Sequence, residues 1–534
     1  MNQPKQPTNT GALATLVMVF FFWGFIAASN SIFIPFCKTH FHLNQFQSQL
    51  IGSAFYGAYF LGSLILFLLS NVLGYDIINK IGYKKGIIYG LWISVIGALL
   101  IIPSANANSF TAILISFFVV ALGFSLQQTS AQPFAIALGD PSTGSHRLNL
   151  GGSVNSFGTT LGPIIVSFFL FGSVGGSHVE VTVTNINTLY IIVASVFAAV
   201  ALFFTFSNLP AGTNESKVEK ENKASVSLLV ITGIIIAIII VGQLTNISKI
   251  PLLLATMACV VGTLFYSNYI ANKNNEGWGA MKYPQLIYGM IGIFVYVGVE
   301  VTIDNNFGAL LKTPGYLTEL GLDESKISKY ISLYWGSLMI GRWMGAVSVF
   351  NLKGMAKRIA MVIVPFIAFG VILFVNHLYG NDVNDLYAYS ICILIAIATF
   401  FYGQEKPVKT LFAVSILAAT AMLIGVFTSG LLSVYAFMAG GLCCAVMWPC
   451  IFSLGVGGLG KYTSQGSALL IMMILGGAII PPFQGALGDA YQNMHKSYLI
   501  AAACFIFLAW LAFKLKNVLK AQGLNFDEQI GGGH

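Results

Sequence analysis

Apolar runs of about 20 residues follow one another along nearly the whole chain, separated by short polar segments. A helix needs roughly 20 apolar residues to cross the hydrocarbon core of a bilayer. Sixteen runs qualify, of which 387–403 is the shortest. The runs are 12–36, 49–74, 84–103, 110–138, 148–174, 187–208, 226–244, 251–271, 286–311, 329–352, 359–378, 387–403, 410–429, 431–457, 465–487 and 498–515. The chain is therefore predicted to cross a membrane sixteen times.

Charged side chains make up only 8% of the 534 residues, and hydrophobic residues make up 56%. Soluble domains carry about 25% charged residues, so this chain has too few charged residues to form a water-facing surface. Lipid is therefore the expected solvent for most of it. The predicted fold class is an all-α membrane protein, and the lipid bilayer is its expected partner.

Several classes of function are excluded by composition and motifs. The net charge of +8 is spread over short segments between apolar runs, so no nucleic-acid partner is predicted. The seven cysteines form neither a CxxC pair nor a Cys/His ligand set, which indicates small packing residues. The histidines lack metal-ligand spacing, and no glycine-rich run continues into the GK[ST] of a P-loop. The chain is predicted not to be an enzyme, to hold no cofactor or metal, and not to use ATP.

The orientation of the chain follows from the distribution of Lys and Arg among the loops. With the N-terminus inside, twenty of the 26 Lys and Arg residues face the cytoplasm. Omitting one span would invert every later loop and remove this bias. The first run is too long for the core of a signal peptide and is interpreted as a span. We predict a multi-pass protein of the cell membrane (inner or plasma membrane) with both termini in the cytoplasm.

A charged segment divides the spans into two sets. The predicted units are an N-terminal six-helix bundle at 12–208, a cytoplasmic linker with an extra transmembrane hairpin at 209–284, and a C-terminal bundle at 285–520. A second hairpin is inserted into the last unit at about 359–403. Two facing bundles are the usual plan of a rocking transporter.

Specific motifs occur in both halves of the chain. The longest are RLNLGGSVNSFG (147–158) and WPCIFSLGVGGLGKYTSQGSALLIMMILGGAIIPPFQGALGD (448–489). The others are FFFWGFIAASNSIFIPF (20–36), LNQFQSQLIGSAFYGAYFLGS (43–63), NKIGYKK (79–85), LQQTSAQPF (126–134), YVGVEVTI (296–303) and YISLYWGSLMIGRWMG (330–345). Together they resemble the fucose–proton symporter family of the major facilitator superfamily, and within it the glucose/galactose transporter branch.

This resemblance implies the major facilitator fold, with two six-helix bundles and, in this chain, about four extra transmembrane helices. It implies a secondary active transporter, a cation symporter that moves a neutral hexose such as glucose, galactose or fucose by alternating access. The family's twelve helices leave two hairpins over, 226–271 and 359–403, for which peripheral packing or oligomer contacts are the alternatives. No obligatory protein partner is predicted.

Polar side chains inside the spans are the candidates for binding the sugar, because a polar group within a membrane is costly. A sugar needs amides or carboxylates for its hydroxyls and an aromatic face for its ring. Gln128 and Gln132 lie on one face of the fourth span, and the resemblance favours Asn30, Gln128 and Asn155. The alternative for each amide is a structural hydrogen bond between helices. The candidate substrate-binding residues are Asn30, Gln127, Gln128, Gln132, Asn155, Glu300, Asn305, Trp448 and Gln484.

Only two carboxylates of the sequence stand well inside a span. Glu300 and Asp304 are four residues apart, so both lie on one face of a helix. Two buried carboxylates this close repel, so one is expected to hold a proton or to share a cation. Coupling requires such a group, whose charge changes as the protein alternates. The alternative is a structural carboxyl paired with Ser or Asn.

The sequence departs from the fucose symporter at two of that protein's acids. The resemblance places Ser31 where the symporter has an aspartate and Gln128 where it has a glutamate. Gln128 agrees with the glucose/galactose branch, whereas Ser31 agrees with neither. Our hypothesis is that Asp304 has taken over the role of the first-helix acid, while Glu300 binds sugar or shares the cation. The candidate cation-coupling positions are Glu300, Asp304 and Ser31, and the coupling ion is H⁺ or Na⁺, with H⁺ favoured.

Three residues near the predicted cytoplasmic ends of spans are candidates for a conformational latch between the bundles: Lys80, Gly82 and Arg342.

The alternatives to cation symport are a uniporter, a carrier of another small solute such as a nucleoside or drug, and a non-transporting sugar sensor on a carrier fold. The sequence does not determine which sugar is carried.

Overall fold

The computed structural model describes residues 7–43, 45–171, 182–211, 221–245, 247–311, 327–350, 352, 354–403, 406–524 and 526. Side chains within these ranges are described except at 26–36, 38–39, 45–50, 53, 163–171, 243, 309 and 327–328. All regular secondary structure of the described chain is helical, and these residues contain no strand. Its α-helices are α1 (Thr10–His40), α2 (Gln45–Leu73), α3 (Ile77–Ile81), α4 (Tyr83–Asn106), α5 (Phe110–Ala137), α6 (Gly144–Phe171), α7 (Val183–Phe206), α8 (Asn222–Leu244), α9 (Lys249–Lys273), α10 (Pro284–Asn305), α11 (Phe307–Leu311), α12 (Ile327–Ala346), α13 (Gly354–Leu378), α14 (Ser390–Gly403), α15 (Pro407–Phe427), α16 (Gly430–Cys444), α17 (Met447–Val456), α18 (Thr463–Met472), α19 (Gly476–Ala490), α20 (Met494–Ser497) and α21 (Leu499–Ala521).

Thirteen helical stretches of the described chain are long and apolar enough to cross a membrane. The other three predicted spans coincide with α1, α6 and α12, in which part of the side chains lies outside the described set. Several helices begin after a polar residue whose side chain accepts a hydrogen bond from an otherwise unpaired backbone N–H group. Ser109 accepts from Ala112 N at the start of α5, and Thr182 forms a capping box with Asn185 before α7. The predicted all-α membrane fold is confirmed.

The same packing pattern occurs twice. In the first half, α1 packs against α6, α4 against α5 and α7, and α2 against α5. In the second half, α10 packs against α19, α15 against α16 and α21, and α12 against α16. This repetition identifies two six-helix bundles and leaves the hairpins α8–α9 and α13–α14 outside them. The unit boundaries 12–208, 209–284 and 285–520 stay a prediction.

The two bundles meet where α2, α5 and α6 of the first contact α12, α17 and α18 of the second. We call this surface the seam. The end of the molecule that contains α3, the last turn of α2 and the first turn of α18 is called the α3 end. Asn79 of α3 donates from Nδ2 to the carbonyl of Lys461, just before α18, at 3.0 Å.

Close helix contacts within each bundle depend on glycine. A Cβ at Gly476 of α19 would lie 1.8 Å from the Phe294 carbonyl oxygen of α10. In the equivalent pair of the first bundle, a Cβ at Gly158 of α6 would lie 2.2 Å from the Phe21 carbonyl oxygen of α1. Backbones can approach this closely in a membrane only where the side chain is absent.

Two spans of the second bundle are interrupted beside the seam. One breaks between α16 and α17, just before Pro449, and the other forms a 3₁₀ turn over Met473–Leu475 between α18 and α19. Proline removes a backbone donor and clashes with the preceding turn. Broken helices are tolerated in membrane proteins where surrounding protein pairs the released backbone groups.

The two extra hairpins differ in their attachment. In the first hairpin, α8 packs against α2 and α9 packs against α10 and α19, so this hairpin touches both bundles. The second hairpin packs against α12, α15 and α16. It is held to α12 by the buried Lys329, whose Nζ is 2.7 Å from Asp385 Oδ1, and by a Ser337–Tyr389 hydroxyl contact of 2.8 Å. The second hairpin is therefore part of the second bundle's surface.

Candidate functional site

The two acids of α10 lie at the seam. The Glu300 side chain is 12% exposed, and the Asp304 side chain is half-buried one turn further along the helix. Neighbouring helices enclose most of α10, whose residues are nearly all buried between Gln285 and Ile303. The carboxylates therefore stand in a largely protein environment, where their charges act strongly on nearby groups.

Arg342 of α12 joins Glu300 to the first bundle. Its Nη2 is 3.5 Å from Glu300 Oε1, and its Nη1 donates to Ser156 Oγ of α6 at 2.9 Å. A Cβ at Gly152 would be 3.2 Å from Arg342 Cδ, so the arginine stem lies directly on the α6 backbone. Arg342 is predicted as part of a latch, but its ion pair with Glu300 could not be predicted, because 42 residues separate the partners.

Aromatic side chains surround the acids. Tyr334 donates its hydroxyl to the Glu300 backbone carbonyl at 2.7 Å. Tyr296, one turn before Glu300, is buried, and its hydroxyl lies close to the Glu300 carboxylate. The half-buried Trp448 lies beside it, with ring centroids 6.2 Å apart. An aromatic face next to a carboxylate is the pair of groups that a pyranose ring requires.

The first bundle contributes neutral groups. Gln128 donates from Nε2 to the Tyr59 hydroxyl at 2.8 Å, and its carbonyl oxygen accepts no hydrogen bond from the described residues. Asn155 donates from Nδ2 to the Phe20 carbonyl at 3.0 Å, which ties α6 to α1. Gln132 is buried, and its Oε1 has no partner among the described residues. These amides retain acceptor capacity for a hydroxyl-bearing ligand.

Two tyrosines of α2 bring the neutral and charged groups to one region of the seam. Tyr56 and Tyr59 are three residues apart and share a helix face. Tyr59 accepts from Gln128, while the charges of Glu300 and Asp304 act on the Tyr56 hydroxyl. A Cβ at Gly477 of α19 would lie 3.0 Å from the Tyr56 ring, so this glycine makes room for the tyrosine.

Three further predicted site residues have surroundings of their own, and their roles in sugar binding stay predictions. Gln127 is fully buried inside the first bundle, where Oε1 accepts from Trp23 Nε1 at 2.6 Å and Nε2 donates to Ser94 at 3.0 Å. Gln484 is also fully buried and accepts from Asn306 at 2.8 Å. Asn305 is exposed at the end of α10.

Two further predicted positions are both on α1. The side chains of Asn30 and Ser31 lie outside the described residues. Their predicted roles in sugar binding and in coupling stay predictions.

The segment around α3 contacts the second bundle through residues other than those predicted. Lys80 is exposed, with its ammonium 3.9 Å above the Tyr75 ring, and Gly82 provides the positive-φ turn between α3 and α4. Neither bonds across the seam within the described chain. Their neighbour Asp76 does, because its Oδ1 accepts from Ser464 Oγ at 3.0 Å as well as from Asn79 N at 2.8 Å. Burial raises the pKa of the Asp76 carboxyl above its ordinary value, although these hydrogen bonds oppose the rise.

More hydrogen bonds cross the seam above the α3 end. Ser467 Oγ donates to the Thr129 carbonyl at 3.1 Å, and Trp343 Nε1 donates to the Ser153 carbonyl at 3.2 Å. Helices rise about 1.5 Å per residue, so Ser156 lies about 18 Å from the start of α6. The seam is therefore closed from the α3 end to about the middle of the bundles.

Comparisons with known proteins agree with this architecture. A family model described as the Major Facilitator Superfamily matches residues 13–404. A glucose/galactose transporter of Brucella abortus biovar 1 is 28% identical over 499 residues, covering 93% of this chain and 92% of that protein. An L-fucose-proton symporter of Escherichia coli K12 is 25% identical over 510 residues, covering 92% and 90%. A crystal structure of the E. coli fucose:proton symporter FucP matches with a TM-score of 0.63 at 22% identity, covering 94% of this chain and 98% of that chain.

Proposed function

The chain belongs to the major facilitator superfamily of membrane transporters, and we propose that it carries a neutral hexose by cation symport. Several relatives bear the names of glucose/galactose transporters or fucose–proton symporters. The seam offers what a sugar needs, namely amide groups on one side and a carboxylate beside an aromatic face on the other. Glucose, galactose and fucose are the substrates we expect.

One observation carries the coupling mechanism. Arg342 contacts both Glu300 and Ser156, so it connects a carboxylate of the second bundle to the first bundle. Any movement that separates α6 from α12 must change the surroundings of this guanidinium. The charge balance of the acid pair is thereby linked to the conformation of the transporter.

Asp304 is the proposed carrier of the coupling cation. Arg342 balances Glu300, whereas Asp304 has Trp335 beside it and no salt bridge within the described chain. An ionised Asp304 would place a second negative charge one turn from Glu300 without a counter-charge. A proton or Na⁺ at Asp304 removes that cost, so we expect the cation to bind together with the sugar.

We further propose that the α3 end faces the cytoplasm, as the distribution of basic residues predicts. This structure, with the seam closed at the α3 end, is then closed to the cytoplasm. Sugar and cation would enter from the opposite end and leave after the hydrogen bonds of the seam break. Lys80 and Gly82 are then the turn of a cytoplasmic loop, and Arg342 keeps a part in the latch through Ser156.

Uptake by the purified protein in proteoliposomes tests this function. With an imposed inward proton gradient, glucose, galactose or fucose should accumulate, and a sodium gradient replaces the proton gradient if Na⁺ is the ion. Asp304→Asn should abolish accumulation but retain sugar counterflow. Unchanged accumulation by this variant would remove Asp304 from the mechanism.

A uniporter is the second candidate. It is favoured by the neutral Gln128 and Ser31, which stand where the fucose symporter has acids. Equal uptake with and without ion gradients would support it. Counterflow of a nucleoside or drug, but of no sugar, would indicate another solute. Absence of any counterflow would indicate a sensor.

A further inference from the structure

A buried carboxylate outside the acid pair stands at the start of the first hairpin. Glu221 directly precedes α8, and the residue is 1% exposed. Glutamate is almost never this buried unless its carboxylate is paired. Its surroundings at the α3 end show what it is paired with.

Glu221 is bonded to both bundles. Its backbone N–H donates to Asn71 Oδ1 of α2 at 2.7 Å, and Asn71 Nδ2 donates to Ser225 Oγ of α8 at 2.9 Å. Gln465 Nε2 of α18 donates to Glu221 Oε2 at 2.5 Å. Because α2 belongs to the first bundle and α18 to the second, one residue connects the hairpin to both sides of the seam.

The carboxylate is directed away from its own helix. An acidic residue at the start of a helix usually accepts from the first N–H groups, but Glu221 makes no such bond. The Gly277 carbonyl accepts from Lys223 N at 3.0 Å and Ala224 N at 3.2 Å instead. The connection between α9 and α10 thus caps α8, and the Glu221 side chain reaches Gln465.

The same connection encloses the carboxylate. Gln465 Oε1 accepts from Ala280 N at 2.7 Å, so both ends of this amide are held. Gly279 has a φ of 52°, and a Cβ there would lie 2.3 Å from Glu221 Cδ. Backbone therefore packs directly on the carboxyl group, and the acid, the amide and the connection form one unit.

We propose that the first hairpin is a clasp on the α3 end of the seam and that the Glu221–Gln465 hydrogen bond is its fastening. Opening of the α3 end separates α2 from α18, so either this bond or the Asn71 bond must break in each cycle. The clasp favours the state closed at the α3 end and limits how often that end opens. Its effect on transport rests on the proposed alternating access, whereas its effect on the seam does not need a substrate.

Hydrogen–deuterium exchange of the purified full-length protein in lipid nanodiscs tests the clasp without any sugar. In Glu221→Ala, the segments 71–82 and 457–465 should exchange roughly tenfold faster, because a buried hydrogen bond between the hairpin and α18 is lost. The middle of the hairpin, 226–240, should exchange as in the parent protein. Sugar counterflow should become faster if opening of the α3 end limits it.

The chain offers a matched control and a rescue. Glu276 is an exposed acid of the same connection, so Glu276→Gln should leave the exchange unchanged. Gln465→Glu places two carboxylates together and should loosen the α3 end as Glu221→Ala does. The double variant E221Q/Q465E restores an amide–carboxylate pair with the roles reversed and should recover the protection.

Equal protection in the parent, Glu221→Ala and Gln465→Glu would overturn the clasp, as would loosening that the double variant does not reverse. If Glu221→Ala fails to fold, Gln465→Glu and the double variant decide the matter alone. Should the parent protein transport no sugar, the proposed function falls, while the exchange comparison still tests the clasp.

Discussion

The two faces of the seam differ in the kind of polar group that they present. The first bundle presents neutral amides, Gln128 and Asn155, which are held by a tyrosine hydroxyl and a backbone carbonyl. The second presents ionisable groups, Glu300 and Asp304, with Arg342 between them and the first bundle. Neutral groups are satisfied by local hydrogen bonds, whereas buried charges need a counter-charge or a proton. Under the proposed function, both faces therefore contact the sugar, and only the second face carries the coupling charge.

The difference has an energetic basis. Removing one partner of a neutral hydrogen bond costs about 1 to 3 kcal/mol when the other partner stays buried. Removing one partner of a buried ion pair costs more, because an uncompensated charge remains. Variants of the charged face should thus have the larger effects, and those of the neutral face should mainly weaken sugar binding.

The largest effect is expected for Arg342→Gln. It leaves Glu300 without its cation and should lower the free energy of unfolding by roughly 3 kcal/mol, with loss of gradient-driven uptake. Thermal unfolding in detergent and proteoliposome uptake measure the two effects. The double variant R342Q/E300Q should regain stability without regaining uptake, and a single variant as stable as the parent would contradict a functional ion pair.

The neighbours Gln127 and Gln128 offer a direct separation of packing from binding. Gln127→Ala leaves the Trp23 indole and the Ser94 hydroxyl unpaired, so it should cost about 2 kcal/mol of stability with an unchanged KM for sugar. Gln128→Ala should raise KM about tenfold with little change in stability. The reverse pattern would show that α5 presents a different face to the sugar.

A smaller effect is expected at Tyr59. Tyr59→Phe removes the acceptor that orients the Gln128 amide, which then remains present but less fixed. We expect KM to rise about threefold, less than for Gln128→Ala. Combining the two substitutions should add nothing beyond Gln128→Ala, since the tyrosine acts through the glutamine; additive effects would argue for a separate contact with sugar.

The smallest effect concerns the α3 end and pH. Burial raises the pKa of Asp76, so the folded state favours its protonated form more than the unfolded state does. Its contribution to stability is therefore present at low pH and is lost as the pH rises through the folded pKa. The unfolding temperature of the parent minus that of Asp76→Asn should fall as the pH is raised above about 4. A difference that is constant with pH would contradict this prediction.

Much of the fold was predictable because lipid imposes a local rule. A span must be about 20 apolar residues long whatever it packs against, so the helices and their division into two sets could be read along the chain. The spacing of Glu300 and Asp304 also places them on one helix face without tertiary information. In both cases the determining interactions are with the bilayer or within one helix.

The contacts of these groups could not be read in this way. The sequence predicted neither the pairing of Arg342 with Glu300 nor the enclosure of Gln127 within its bundle. In the segment around α3, Asp76 and Asn79 rather than Lys80 and Gly82 bond to the second bundle. Adjacent residues of a helix point about 100° apart, so one position decides whether a side chain meets its own bundle or the seam.

The amino-acid sequence by itself determined that this protein is a bundle of membrane helices with an acid pair inside one of them. Lipid exclusion and helical periodicity act on neighbouring residues, so no knowledge of the packing was needed. Only the tertiary structure decided which groups balance those acids and which residues close the seam, because the partners are distant in the chain and meet only when two bundles pack against each other.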